Sequence, residues 1–321
     1  MATIKFNKDV RLIVSDVDET IADLYVEANA GMIREVEKLL LEGKVLFLIS
    51  GQSVKSIKWR ITDHIKPELR KQMIIGHCSG SEVWGFASNG NLMKTPYYSA
   101  YDDSMNDSQR KRWREIILQV VSEFKLVVYD TMPVTEFKKK TRENPLAVMV
   151  EDRGPQITIE AVNGHDLQPD EARRLGLRVP ENHGPYDLRA PIAERAEELL
   201  NRENLPITPR LAGVFAIDFA IRGVSKTTAV KNILGDERVM FRLGLSKDIL
   251  AEPTHTEVWG DKFSAVRGGT DRHISEALPK DVRSITFRLE RQDEMLGGYN
   301  IVVWDGERHL HEGLLEYLQS R

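Results

Sequence analysis

The segment Arg11 to Tyr25, RLIVSDVDETIADLY, places Asp16 and Asp18 directly after the apolar run Leu12 to Val14, with Thr20 two residues further on. Side chains of a strand alternate with period two, so the two carboxylates leave the predicted strand on the same side and share one pocket. In open α/β sheets such a pocket lies outside the carboxyl ends of the strands. Paired acids there make a candidate phosphoryl-transfer site. The plainer reading is a solvated acidic turn that caps a helix.

Three further groups fall at predicted strand ends. Ser50 closes VLFLISG, where its hydroxyl and the N–H of Gly51 could donate to a phosphoryl oxygen, or the hydroxyl could simply cap a helix before Gln52. Lys226 in RGVSKTTAV opens a predicted helix, and its ammonium could neutralise phosphate charge or merely be solvated. In VWGDKFSAVRGGTDRHI, Asp261 follows a strand and Asp271 follows Gly268 and Gly269, which let the backbone fold tightly. A hard cation such as Mg²⁺ prefers carboxylate oxygens, so Asp261 and Asp16 could hold it, with Asp271 binding directly or through water. Asp271 could equally cap the next helix. The convergence of all four segments in one α/β domain favours an active site.

The elements that must position these residues begin as strand, helix, strand. The pattern predicts strand Leu12 to Ser15, helix Met32 to Leu41 ended by Gly43, strand Val45 to Ile49, and a helical segment near Val54 to Ile61. Short strands follow at Met73 to Ile75, Glu82 to Phe86 and Leu92 to Lys94. This βαβ opening argues for a parallel sheet covered by helices. Tyr97 to Asp107, rich in Tyr, Ser and Asp, reads as a linker into a second domain.

That second domain reads as αββαββ. Helix Gln109 to Phe124 precedes strands Ala147 to Glu151 and Gln156 to Ala161, and helix Leu188 to Asn201 precedes Arg210 to Val214 and Ala216 to Ile221. The α/β pattern then resumes with helix Lys226 to Leu234, strands Glu257 to Gly260 and Ser284 to Arg288, and a helix around Leu310 to Gln319. The expected division is a core of residues 1–96 and 222–321 with residues 97–221 inserted.

The 321 residues carry a formal charge of −4 from interspersed acids and bases, with one cysteine, Cys78. The run Lys138, Lys139, Lys140 is short enough to be a solvated face, so nucleic acid is not implied. Met1 to Val10 lacks an apolar signal core, and no apolar stretch approaches the roughly 18 to 20 residues of a membrane span. These features lead us to expect a cytoplasmic, disulfide-free chain with no membrane partner. Cys78 reads as a buried structural thiol, since no base for a nucleophile is evident.

The order DVDET, ISG, a lysine opening a helix, and GD with a later acid resembles the haloacid dehalogenase superfamily of phosphatases and phosphomutases. The αββαββ insertion resembles the cap of its Cof-like, phosphomannomutase and trehalose-phosphate phosphatase branch. That resemblance implies a Rossmann-like parallel-sheet core with an inserted α+β cap that chooses the substrate and closes over it. It implies a Mg²⁺-dependent reaction through an aspartyl-phosphate, with Asp16 as nucleophile and Asp18 as acid and base. Asp16, the backbone carbonyl of Asp18, Asp261 and Asp271 would form the metal set. Ser50, Gly51 and Lys226 would hold the phosphoryl group.

Within that branch VEDRGPQITIEAVNG, FAIDFAIRGVSK and GDKFSAVRGGTD look most like phosphomannomutase and its bacterial phosphatase relatives. Arg153 matches a cap arginine that contacts substrate phosphate, and Asp218 an acid that faces sugar hydroxyls. A surface ion pair and a polar strand position are their plainer readings. The chain departs from the mutases at Asn163, Gly164 and His165, where a second arginine is expected, and Thr270 replaces the usual Asn. Losing a second bidentate clamp favours hydrolysis over transfer. A small phosphomonoester, a sugar phosphate above all, is the implied substrate, and a monomer or homodimer the implied state. A sugar phosphomutase and a non-catalytic sugar-phosphate binder are the alternatives. No GxGxxG follows the first strand, which speaks against a nicotinamide enzyme.

Overall fold

The computed structural model describes residues 4–179 and 185–321, and among these it is a mixed α/β structure. In chain order the strands are β1 (Leu12–Asp16), β2 (Val45–Ile49), β3 (Met73–His77), β4 (Glu82–Gly85), β5 (Tyr98–Ser99), β6 (Val127–Tyr129), β7 (Ala147–Asp152), β8 (Gln156–Glu160), β9 (Ile207–Ala212), β10 (Ala216–Ile221), β11 (Thr256–Gly260), β12 (Arg283–Thr286) and β13 (Ile301–Val303). They form two sheets, ordered β13-β12-β11-β1-β2-β3-β4-β5 and β6-β7-β8-β10-β9. The chain divides correspondingly into one unit of Met1–Ser99 with Val224–Arg321 and another of Ala100–Gly223.

In the first unit β1 lies between β11 and β2, parallel to both, and every residue of β1 and β2 is buried. The runs LIV and VLFLI are apolar throughout because helices cover both faces of a parallel sheet. Alternation sorts them. Ile13, Leu46 and Leu48 pack with Val36, Leu39 and Leu40 of helix Ala30–Leu41, while Leu12, Val14, Val45, Phe47 and Ile49 pack with Ala229, Val230 and Ile233 of helix Lys226–Gly235. Each fully buried side chain of this kind contributes about 1.5–3 kcal/mol. Asn29 starts the first of these helices by accepting from Met32 N.

Strands β4 and β5 run antiparallel and finish one edge of the sheet. The expected linker at Tyr97 to Asp107 is therefore not irregular: Tyr98–Ser99 pairs with Glu82 and Val83, and Ala100–Ser104 is helical. Polar composition concealed a two-residue edge strand. The expected strand at Leu92 to Lys94 reduces to one bridge between Phe86 and Leu92.

The second unit contains the anticipated repeat, helix Asp107–Glu123 with β7 and β8, and helix Arg189–Arg202 with β9 and β10. It also holds β6 and helix Val134–Thr141, which the sequence reading omits. Val127 and Val128 of β6 are exposed, so this short edge strand lacks the burial alternation that marks an internal one. The strand expected over Arg210 to Val214 runs instead from Ile207 to Ala212, because Gly213 turns the chain at φ +51°. Lys138, Lys139 and Lys140 lie on the exposed side of helix Val134–Thr141.

Candidate active site

Asp16 ends β1 and is 6% exposed. Its neighbour β11 ends at Gly260, so Asp261 follows at the adjacent strand end, itself 1% exposed. Lys226 opens helix Lys226–Gly235 and reaches both acidic segments, with Nζ 2.5 Å from Asp16 Oδ1 and 2.7 Å from Asp271 Oδ1. Oxygen atoms of Asp16, Asp261 and Asp271 lie within 4.8 Å of one another.

The loop from Asp261 to Asp271 is built around the second acid. Asp271 Oδ2 accepts from the backbone N–H groups of Asp261 and Lys262, each at 2.9 Å. With Lys226 this fills three of the roughly four acceptor positions of the carboxylate. Asp271 thus ties the loop to the lysine and keeps room for one more donor or a cation. Gly269 permits the turn, since a Cβ there would stand 2.4 Å from the Lys262 carbonyl oxygen. From the other side Glu290 accepts from the N–H groups of Phe263 and Ser264 and from the Thr286 hydroxyl. Glu294 accepts from Ser264 Oγ and Arg267.

Burial makes these carboxylates hard to ionise together. Burial first, then Asp271, hold the Asp16 carboxyl well above the usual carboxylate range, against the pull of Lys226. The same two causes push Asp261 up to about 7. For Asp271 burial acts upward most strongly, but the Lys226 ammonium together with the N–H groups of Lys262 and Asp261 leaves the carboxyl low. Burial pulls Lys226 down, yet Asp16 and Asp271 together raise it. A divalent cation beside Asp16 and Asp261 would relieve this mutual repulsion, and an all-carboxylate oxygen set suits a hard ion such as Mg²⁺. The residues present therefore fit such an ion.

Asp18 occupies different surroundings. Its Oδ2 accepts from Ser50 Oγ at 2.7 Å and its Oδ1 from Arg60 Nη1 at 2.6 Å. Ser50, which the sequence offered as a phosphoryl ligand or a helix cap, directs its proton to Asp18 and accepts from Gln52 N at 3.0 Å. The cap of helix Val54–Arg60 is Ser53. Gly51 stands between them, partly exposed. Arg60 was not anticipated. It lies three residues after Ile57 on the buried side of a short helix, and a charge at a core position was the available signal.

Two other residues escaped notice, Glu19 and Arg288. Arg288 Nη2 lies 2.7 Å from Asp261 Oδ2 and 2.5 Å from Glu19 Oε2, and Lys262 Nζ lies 3.1 Å from the same glutamate oxygen. Glu19 adopts φ +61°, a left-handed conformation that costs a non-glycine residue about 1 kcal/mol.

The second unit carries Arg153 and Asp218. The Arg153 side chain is 4% exposed and its Nε donates to Glu151 Oε2 at 2.7 Å. Asp218 pairs with Thr158 across β8 and β10 and accepts from its hydroxyl at 2.8 Å. Burial raises its carboxyl, with Arg153 and Arg210 opposing. Asn163 Nδ2 donates to Thr141 Oγ1 and the Asn144 carbonyl, tying it to the segment after helix Val134–Thr141, and His165 Nδ1 lies 2.8 Å from the Val162 carbonyl within its own turn. Cys78 is fully buried, with Sγ 3.2 Å from His77 Nδ1 and His77 Nε2 2.9 Å from Glu82 Oε2. A base does adjoin the thiol, although burial keeps the thiol from any external partner.

Strand order, the acids at the ends of β1 and β11 and the lysine at a helix start together decide the architecture. The fold is that of the haloacid dehalogenase-like hydrolases. One such hydrolase, from Bacteroides thetaiotaomicron, superposes with a TM-score of 0.56 at 14% identity, over 96% of this chain and 99% of that one. A trehalose-6-phosphate phosphatase related protein superposes at 0.50 with 12% identity, over 96% and 95%. A scan of protein-family models finds no match, and neither does a search of curated proteins. The haloacid dehalogenase-like fold is thus retained at low identity. Among the described residues no helix is long and apolar enough to cross a membrane.

Proposed function

We propose that this chain is a phosphatase that hydrolyses a small phosphomonoester, with a sugar phosphate as the preferred class. The observation that carries the reading is the buried group of Asp16, Asp261 and Asp271 joined by Lys226, with Asp18 two residues beyond Asp16. Such a group can neutralise a phosphoryl dianion while presenting a carboxylate to it.

In this mechanism a carboxylate oxygen of Asp16 attacks phosphorus in line. The ester P–O bond breaks and Asp18, as the acid, gives its proton to the departing alkoxide. Water then attacks the aspartyl-phosphate, Asp18 takes its proton, and inorganic phosphate leaves with Asp16 restored. Lys226 holds Asp16 in place and stabilises charge on the phosphoryl oxygens. Ser50 and Arg60 fix the direction of Asp18. Mg²⁺, held by Asp16, the Asp18 carbonyl, Asp261 and Asp271, would supply positive charge against which two anions can approach.

Hydrolysis is preferred to intramolecular transfer because Asn163 and His165 supply no second arginine clamp and are bonded within the second unit. Arg153 and Asp218 are proposed to recognise the polar part of the substrate, with the second unit as the source of selectivity. The test is phosphate release from a panel of sugar monophosphates and an aryl phosphate, with and without Mg²⁺, beside a mutase assay primed by a sugar bisphosphate. Release that requires Mg²⁺ and disappears in Asp16→Asn supports the reading. Isomerised sugar phosphate without release would replace hydrolase by mutase, and no turnover of any ester would leave a binding protein.

A further inference from the structure

Asp261 is needed by any cation shared with Asp16 and Asp271, yet it already has one. Arg288, the second residue beyond β12, places both Nε and Nη2 on the single oxygen Oδ2 of Asp261, at 3.1 and 2.7 Å. The same Nη2 bonds Glu19 Oε2 at 2.5 Å. Asp261 is almost wholly buried, whereas the Arg288 side chain is 35% exposed, so the guanidinium reaches the acid from the solvent side. Lys262 is also nearby, its Nζ 3.6 Å from Asp261 Oδ2, but it makes its short contact with Glu19.

We propose that Arg288 is a resident counter-cation that competes with the divalent ion for Asp261, and that Glu19 is the carboxylate that keeps the guanidinium when the ion displaces it. Three observations converge on this. The contact is made to the one acid of the trio that Lys226 does not touch, so the lysine and the arginine between them give each of the three carboxylates a cationic partner. The arginine is exposed enough to swing without opening the core. Glu19 is held at φ +61°, where a side chain is tolerated only if its contacts outweigh the strain, and those contacts are Arg288 and Lys262. The consequence is a weakened and tunable metal affinity: loading must displace an arginine from the ligand oxygen, instead of filling a bare acidic site. A guanidinium with two carboxylate partners can leave one of them without becoming an isolated charge.

This inference rests on the metal reading of the proposed function, and its test does not use turnover. The full chain, stripped with chelator, is titrated with Mn²⁺ alone by calorimetry and by electron paramagnetic resonance of the free ion. Arg288→Met, which retains an apolar stem, is expected to tighten Mn²⁺ binding by about tenfold, the order of one partly exposed ion pair. Lys262→Met removes an equal charge from the same neighbourhood and is expected to change affinity less than about threefold, because it does not occupy the ligand oxygen. Asp261→Asn should abolish binding and so locates the site. Arg288→Gln repeats the comparison should the methionine variant melt early. Equal tightening in the Arg288 and Lys262 variants would reduce the effect to a general field and overturn direct competition. Wild-type binding with no tightening in Arg288→Met overturns the competition while leaving the metal reading intact. Absence of Mn²⁺ binding from wild type overturns the metal reading, and this inference with it.

Discussion

Arg60, with no solvent-exposed side-chain surface, donates from Nη1 to Asp18 Oδ1 at 2.6 Å, and its Nε and Nη2 serve the carbonyls of Val26 and Asp23. One guanidinium thereby fastens the loop after the DVDET segment to the acid that the reaction must aim. Arg60→Met takes this donor from those carbonyls and leaves a largely buried carboxylate with the Ser50 hydroxyl but no counter-charge, and is expected to cost about 3 kcal/mol of stability. Urea denaturation followed by circular dichroism measures it, and an unchanged midpoint would show the pair to be incidental.

Asp18 itself separates substrates by their leaving groups. A sugar alkoxide needs protonation as it departs, and a nitrophenolate needs little. Asp18→Asn is therefore expected to lose about 10² to 10⁴ in rate on sugar phosphates and much less on an aryl phosphate. Equal losses on both, measured as kcat/KM, would contradict the acid role.

Glu19 offers a test of stored backbone strain. Both Glu19→Ala and Glu19→Gly lose the bonds to Arg288 and Lys262, but only alanine keeps a Cβ at φ +61°. The glycine variant is expected to be the more stable of the two by about 1 kcal/mol. Indistinguishable melting curves would mean that the backbone relaxes there.

The pH dependence of the metal-free protein follows from Asp261. Its carboxyl, ordinarily at 3.8, is pushed up to about 7 by burial and by Asp271. Between those values the folded state holds a proton that the unfolded state has released, so this contribution is greatest below 3.8 and is lost as pH rises through about 7. Asp16, also raised, acts in the same direction, while the lowered Asp271 titrates below the window. In chelator, melting temperature should fall from pH 4 towards pH 7, and less steeply in Asp261→Asn. A flat wild-type profile would refute the assignment.

Gly269 is expected to tolerate no side chain. An alanine Cβ would lie 2.4 Å from the Lys262 oxygen and 2.9 Å from the Ser264 nitrogen, both backbone atoms. The forced shift should cost about 2 kcal/mol and weaken Mn²⁺ binding in the same variant. Native Mn²⁺ affinity in Gly269→Ala would show that the loop can move freely of its acids.

The sequence disclosed what depends on local period and on residue type at strand ends. Leu12–Asp16 and Val45–Ile49 are recognisable because both faces of a parallel strand are apolar, and Lys226 because it starts a helix after a strand. Strands β6 and β13 remained hidden because three-residue edge segments carry too little alternation. Arg60 and Arg288 lie 42 and 27 residues from the acids they serve, and no local pattern reports a pairing across that distance. The direction of the Ser50 hydroxyl was equally hidden, since a hydroxyl at a strand end can turn to a ligand, a cap or a neighbouring acid. Only the position of Asp18 decides among these.

Glu290 and Glu294 grip the segment from Phe263 to Arg267 through backbone and side-chain donors that contain none of the acids. The loop is consequently preorganised: its conformational entropy is surrendered when the chain folds, not when a ligand arrives. Ligand affinity is then coupled to residues that never touch the ligand. A substitution at Glu290 would loosen Asp261 and Asp271 together, and natural variation in that segment could retune occupancy without altering a single coordinating side chain.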